Sequence, residues 1–447
     1  MRIESSTADP QVYKRPAELL RSLLRFNTTN PPGNESECIA YIKGLLAAAG
    51  FDVTILALDS ARPNLITRLK GRGDAPPLLL YGHVDVPPSR DQAWRHPPFE
   101  GRVAEGAIWG RGALDMKSGV AMMLSALLRA RAEGLHPSGD IVLAIVSDQE
   151  TGGEFGIKYL IDSHAELFEG VRYAISKFGG FTLFFGGRKF YPIQVSEVQL
   201  GWVRTVVRSG GGRGDALGKM CRLLERLAAT RLPTHITPPV RQMIEAMTAA
   251  LPAPACDLLA GLLDAQKTDT ILDRLGKQAR HFDGLLHNSV SLIALPGRGL
   301  IPIMQEEIEV KLAVHVLPGF GIEQAVGEIA ALAGDDAKLE ILSFVPAPPK
   351  PDLGMFNLLA DLIREADPSG VPVPFVLPGA SAAKLFARLG VQTYGFLPMN
   401  LPEAISLPSM LQAPDERITA ASLEFGCDCL YRLLQCYPGR AYSAGLK

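Results

Sequence analysis

Cysteine is scarce: six in 447 residues are too few for a disulfide framework. Cys427 and Cys429 form a C-x-C pair, but nothing nearby completes a metal quartet, and the surrounding apolar pattern reads as a helix that points them in different directions. Long apolar runs are also missing. None approaches the roughly 20 residues a membrane helix needs, and the opening MRIESSTADPQVYKR lacks the apolar stretch of a secretion signal. A reduced, cytoplasmic protein is the expectation. Nor does one sign of charge dominate: 45 Lys+Arg against 47 Asp+Glu leave a formal charge of -2, with no block of like charge. Neither a nucleic-acid nor a membrane partner is therefore expected, and a small molecule is. Internal repeats and low-complexity tracts are absent as well.

What the chain does contain is 47% apolar and 21% charged residues, enough to build a substantial core. At roughly 100 to 200 residues per domain, the length predicts two or three domains. Between Pro16 and about Leu160, helices alternate with short apolar runs, the pattern of βαβ units around a mostly parallel sheet. LLLYGHVDV (78 to 86) and DIVLAIVSD (140 to 148) read as buried strands, and MKSGVAMMLSALLRARAEG (116 to 134) as a helix closed by Gly134. Ligands of open α/β sheets bind beyond the carboxyl ends of the strands, where His83, Asp85 and the Asp148-Gln149-Glu150 cluster fall. From about Leu200 the pattern becomes α+β: VRTVVRS, SVSLIAL and EEIEVKLAVHVL read as strands around long helical stretches. After the Pro-rich connector FVPAPPKPDLG (344 to 354), α/β character returns with VPVPFVL and VQTYGFL. The expected fold class is α/β, a mostly parallel-sheet catalytic-type domain (1–197 and 346–447) carrying an inserted α+β domain (198–345).

Several segments together resemble the zinc-dependent aminoacylase, acetylornithine deacetylase, succinyl-diaminopimelate desuccinylase and carboxypeptidase G family. They are NTTNPPGNE (27 to 35), LLLYGHVDV, WRHPPFEGRVAEGAIWGRGALDMKSG (94 to 119), SDQETGG (147 to 153), RKFYPIQVSE (188 to 197) and APDERIT (413 to 419), in the family's order across nearly the whole chain. The resemblance implies a catalytic domain with two zinc ions bridged by an aspartate, and an inserted lid domain through which such chains often dimerise. It also implies amide hydrolysis, in which the metals polarise the carbonyl and acidify a water while a glutamate moves the proton. By the same resemblance His83 matches the first zinc ligand, Asp85 the carboxylate that orients its neighbours, Asp115 the bridging aspartate and Glu150 a terminal ligand of the second metal.

Other positions depart from the pattern. Where the family has Asp-Glu-Glu, with the first Glu as general base, this chain has Asp148-Gln149-Glu150, and an amide accepts no proton near neutral pH. The remaining first-site carboxylate falls on Lys177 in YAISKFGGFTL, an ammonium with no lone pair to give a metal. The family's late histidine falls on Gln412, and no histidine follows His315 anywhere in the chain. A lid histidine that reaches the oxyanion falls on Arg213, an asparagine on Gly299, the arginine that holds a substrate carboxylate on His315, and a late aspartate on Ala382, beside Ser381.

Three functions remain open on this reading. In the first, a repurposed enzyme, Lys177 replaces a zinc charge in the old cradle, paired with Asp115 and Glu150 and near His83 and Arg213. It would act without a metal on an amino-acid- or peptide-derived molecule by proton transfer, cyclisation, elimination or acyl transfer, with Arg213, His315, Gln412 and Ser381 as substrate contacts. In the second, the fold survives as a non-catalytic binding module. In the third, Asp115, Glu150 and His83, with the amide oxygen of Gln412, hold one weak divalent metal and the chain remains an amide hydrolase. The first is the leading expectation, with no cofactor and a homodimer through the lid.

Overall fold

The computed structural model describes residues 9–211, 215–294, 306–346, 348, 350–379 and 381–438. The chain divides into two units, Met1–Val195 with Asp352–Val373 and Leu385–Lys447, and Ser196–Pro351 with Pro374–Lys384.

The first unit is organised by parallel strands whose sequences are apolar throughout. Ile141–Val146, Leu78–His83, Tyr173–Ser176 and Gln392–Gly395 lie side by side and parallel. Every residue of the first three is buried, as expected for strands covered on both faces. These four strands belong to a nine-stranded sheet in which Asn64–Leu69 and then Val53–Leu56 continue antiparallel beyond Ile141–Val146. Arg188–Glu197, also antiparallel, follows Gln392–Gly395, and Val371–Leu377 comes after it. The helix Lys117–Ala132 is buried on nearly all sides, which explains why its sequence shows little amphipathic contrast. Its C-cap is Glu133, followed by Gly134 in the left-handed region (φ +66°), where glycine adds no Cβ strain. Leu124, Leu127 and Leu128 of this helix share one core with Leu423, Leu430 and Leu434 of the helix Ala420–Cys436. Cys427 and Cys429 of that second helix are buried free thiols.

The second unit is built on a four-stranded antiparallel sheet in the order Ser289–Ala294, Glu307–Val316, Gln199–Arg208, Ala337–Phe344. Its core joins Val207, Ile308, Val310 and Leu312 to Met220 and Leu223 of the helix Asp215–Ala229. A second cluster joins Val203, Val314 and Val316 to Ile322, Ala325 and Ile329 of the helix Ile322–Ala333. The α/β class expected from the sequence is the one found: one unit is α/β with a mostly parallel central sheet, and the other is α+β. Among the described residues no helix is long and apolar enough to cross a membrane.

Candidate active site

Three adjacent parallel strands end at the same edge, and each delivers a polar group there. His83 is the last residue of Leu78–His83, Lys177 follows Tyr173–Ser176, and Asp148-Gln149-Glu150 follow Ile141–Val146. This is the carboxyl edge at which α/β sheets bind ligands. The loop that precedes the buried helix Lys117–Ala132 adds Asp115.

At the centre lies Lys177, 8% exposed. Its Nζ donates to Asp115 Oδ1 at 2.6 Å, contacts His83 Nε2 at 2.8 Å and lies 3.8 Å from Glu150 Oε1. On its other side, the His83 ring has Nδ1 3.1 Å from both the backbone oxygen and Oδ1 of Asp85. Two oxygen acceptors place a ring proton on Nδ1, while Nε2 faces both the Lys177 ammonium and Asp115 Oδ1, the latter at 3.4 Å. Burial and the Lys177 charge oppose a second proton, but the hydrogen bonds to Asp115 and Asp85 outweigh them and raise the His83 pKa to about 9. Asp85 is further tied by the backbone N–H groups of Gln149 (3.0 Å) and Glu150 (2.8 Å) and by Asn30 Nδ2 (2.9 Å). Burial opposes the charge of Asp85, but the His83 ring, followed by Asn30 and the Glu150 N–H, outweighs it and holds the carboxyl at about 2. Asp115 is likewise penalised by burial, yet the neighbouring Lys177 charge holds it well below the usual carboxylate range. Glu150 is pushed up, chiefly by burial and then by Asp115 and Asp85.

Gln149 is occupied by a group the sequence did not single out. The buried Tyr81 hydroxyl donates to Gln149 Oε1 at 2.6 Å. The amide oxygen being engaged, Gln149 offers Nε2–H as a donor, the opposite polarity to a general base. Tyr81 lies two residues before His83 and so on the same strand face, a signal the period of two supplies. Gln412 donates through Nε2 to Glu150 Oε2 at 3.1 Å. Its own backbone carbonyl accepts from Arg111 (3.1 Å) and Gln92 (3.0 Å).

Two buried arginines hold these loops through ion pairs. Glu416 accepts from Arg111 (3.0 Å) and from the backbone N–H groups of Gly112, Leu114 and Asp115 (3.1, 2.6 and 3.0 Å). Arg62 joins Glu35 (3.2 Å) to Asp148 (3.2 Å). Among the described residues five non-glycines have positive φ, and three of them adjoin the site: Asp148 (+65°), Phe178 (+73°) and Gln412 (+58°). Such conformations cost energy and concentrate where the surroundings over-determine the backbone. Gly179 shows how little room remains behind Lys177, because a Cβ there would meet the Gly395 carbonyl oxygen at 1.9 Å. Gly179→Ala is expected to cost more than about 1 kcal/mol through overpacking, seen as a lowered midpoint in thermal unfolding.

His315, half-buried on the strand Glu307–Val316, is 3.4 Å from Ser291 Oγ. Ser381 gives its N–H (2.8 Å) and hydroxyl (2.5 Å) to the buried Glu197. Both belong to the second unit, whereas the Lys177 cluster belongs to the first. Arg213 and Gly299 lie outside the described residues.

Residues 79–435 match the sequence profile of peptidase family M20/M25/M40. The chain belongs to this family. The M20 relatives include the succinyl-diaminopimelate desuccinylase of Paracoccus denitrificans (strain Pd 1222), 40% identical over 148 residues, which are 33% of this chain and 38% of that protein. The chain thus spans less than two fifths of the length of that relative. Among solved structures, an M20 family metallo-carboxypeptidase from Sulfolobus solfataricus aligns with a TM-score of 0.66 at 15% identity, covering 95% of this chain and 99% of that one. Human carnosine dipeptidase 1 aligns with a TM-score of 0.64 at 15% identity, covering 95% and 96%. At these identities the structures establish the M20 fold alone.

A metal pair of the kind the family resemblance implies does not fit the residues present. His83, Asp115 and Glu150 offer ligand atoms within 4.8 Å of one another, the only such group among the described residues. Three donors fall short of two metals, and the Lys177 ammonium already contacts two of the three at hydrogen-bond distance. Gln149 cannot take a proton from a metal-bound water.

Proposed function

We propose that this M20 protein is a metal-independent enzyme that acts on an amino-acid- or peptide-derived small molecule, with Lys177 supplying the fixed positive charge of its site. The observation that carries this reading is the position of Lys177 Nζ, 2.6 Å from Asp115, 2.8 Å from His83 and 3.8 Å from Glu150. An ammonium held between a bridging-type aspartate and a strand-end histidine stabilises negative charge developing on a substrate oxygen, the task a metal performs as a Lewis acid. With Gln149 unable to act as a base, proton transfer, cyclisation, elimination and acyl transfer fit the site better than hydrolysis of an amide by an activated water. The substrate class rests on the name of the desuccinylase relative, which acts on a succinylated amino acid. On this reading residues 198–345 form the lid and the homodimer contact, and the protein works in the cytoplasm.

Metal analysis tests the reading. Protein purified without chelator and then dialysed against excess zinc and manganese is expected to hold less than about a tenth of an equivalent of either by mass spectrometry. One tightly held equivalent, lost on Glu150→Ala, would replace this reading by a one-metal amide hydrolase. The satisfied Lys177 ion pair also favours a binding module without catalysis. Metal-free protein that turns over no N-acyl amino acid, dipeptide or free amino acid in a mass-spectrometric screen would support that module instead.

A further inference from the structure

The inner site holds more negative charge than its cation neutralises. Asp85 is fully engaged by the His83 ring, Asn30 and two backbone N–H groups. That leaves Asp115 and Glu150 facing the single ammonium of Lys177. The His83 ring, whose Nδ1 faces Asp85 Oδ1 at 3.1 Å, is matched by that carboxylate and leaves the balance of Asp115 and Glu150 against Lys177 unchanged. Hydrogen bonding is incomplete as well. Asp115 is 3% exposed, and its Oδ2 is buried without a hydrogen-bond partner. Glu150 lies 3.8 Å from Lys177, beyond hydrogen-bond range, and its Oε2 takes one donor from Gln412. A buried carboxylate oxygen left unpaired is costly, so the cluster is short of both a donor and a positive charge.

We infer that this site binds ligands through a protonated primary amine, whose ammonium sits against Asp115 and Glu150 beside Lys177. The inference rests on the reading of a metal-independent site and narrows its substrate to molecules with a free amino group. A primary ammonium supplies what is missing, one charge and three N–H donors in a compact head. A neutral amide brings a donor without the charge. A quaternary ammonium brings the charge without a donor. A divalent ion in that place would meet twice the repulsion from the Lys177 ammonium that a monovalent ammonium meets. Glu150, with 10% of its side chain exposed, and the exposed Gln412 form the side from which such a group enters.

Isothermal titration calorimetry on the full chain at neutral pH, with four probes, decides the matter. Glycinamide is expected to bind at one site, while N-acetylglycinamide, tetramethylammonium and manganese chloride give no saturable heat. Glu150→Gln is expected to weaken glycinamide at least about tenfold, the loss of one charge-assisted contact. Equal binding of N-acetylglycinamide, or no binding of glycinamide to metal-free wild-type protein, would overturn the ammonium site and leave the metal-independent reading standing. Stoichiometric manganese binding would overturn both. The comparison of glycinamide with its acetylated form needs no variant, so a misfolded Glu150→Gln does not blunt the test.

Discussion

Lys177→Glu is expected to create a divalent-metal site in place of the Lys177 ion pairs. The substitution removes the ammonium that lies 2.6 Å from Asp115 and 2.8 Å from His83 and puts a third carboxylate beside Asp115 and Glu150. Without a cation, three clustered carboxylates repel one another, so the metal-free variant should unfold at a lower temperature than wild type. Zinc or manganese should then restore what was lost, because a histidine and three carboxylates form a donor set both ions accept. An ion that binds only the folded state stabilises it by about 2.7 kcal/mol at a hundred times its dissociation constant. Thermal unfolding of both proteins with chelator and with excess metal reads this directly. The variant should show a metal-dependent rise that wild type lacks. An equal rise in wild type would mean that Lys177 yields to a metal, and that its charge is not a fixed part of the site.

How far the sequence reached follows from which contacts are local. His83 and Asp85 sit at a strand end whose apolar run is continuous in the chain, so their place at the carboxyl edge was legible from pattern alone. Lys177 was reached only through the family resemblance, which sets a metal-site carboxylate against YAISKFGGFTL; that YAIS forms the strand Tyr173–Ser176 and delivers the next residue to the same edge is a finding of the structure. The structure brings His83, Asp115, Glu150 and Lys177 together with Gln412 on Glu150, while Arg213, expected beside them, lies outside the described residues. The partners that fix the cluster were not legible. Tyr81 and Gln149 are 68 residues apart, and Arg111 and Glu416 are 305 apart. No local period records a pairing across such separations. The buried Arg62 bridge between Glu35 and Asp148 was hidden for the same reason, since a charged side chain in a sequence reads as solvated until packing shows otherwise.

The largest loss of stability is expected at Glu416, a residue that touches neither Lys177 nor His83. Its carboxylate is 1% exposed and gathers four donors: the Arg111 guanidinium and the backbone N–H groups of Gly112, Leu114 and Asp115. Burial pushes its pKa up, while the same backbone donors and Arg111 oppose that shift and favour the charged form. Glu416→Ala would leave three backbone donors and a fully buried guanidinium without their acceptor, and breaking a buried pair in this way costs about 3–5 kcal/mol. Glu416→Gln is expected to fall between alanine and wild type, because one amide oxygen still accepts while the amide nitrogen faces donors. The consequence reaches the site by two routes. Asp115 loses the acceptor of its backbone N–H, and Arg111, which also holds the Gln412 carbonyl at 3.1 Å, loses its counter-charge. Chemical denaturation followed by circular dichroism should therefore show a much lower midpoint for Glu416→Ala than for Glu150→Gln. The latter removes a charge from a cluster with a surplus of negative charge and should leave the midpoint nearly unchanged or raise it. If the two variants unfold together near wild type, the Arg111–Glu416 pair is not what ties the Asp115 loop to Gln412.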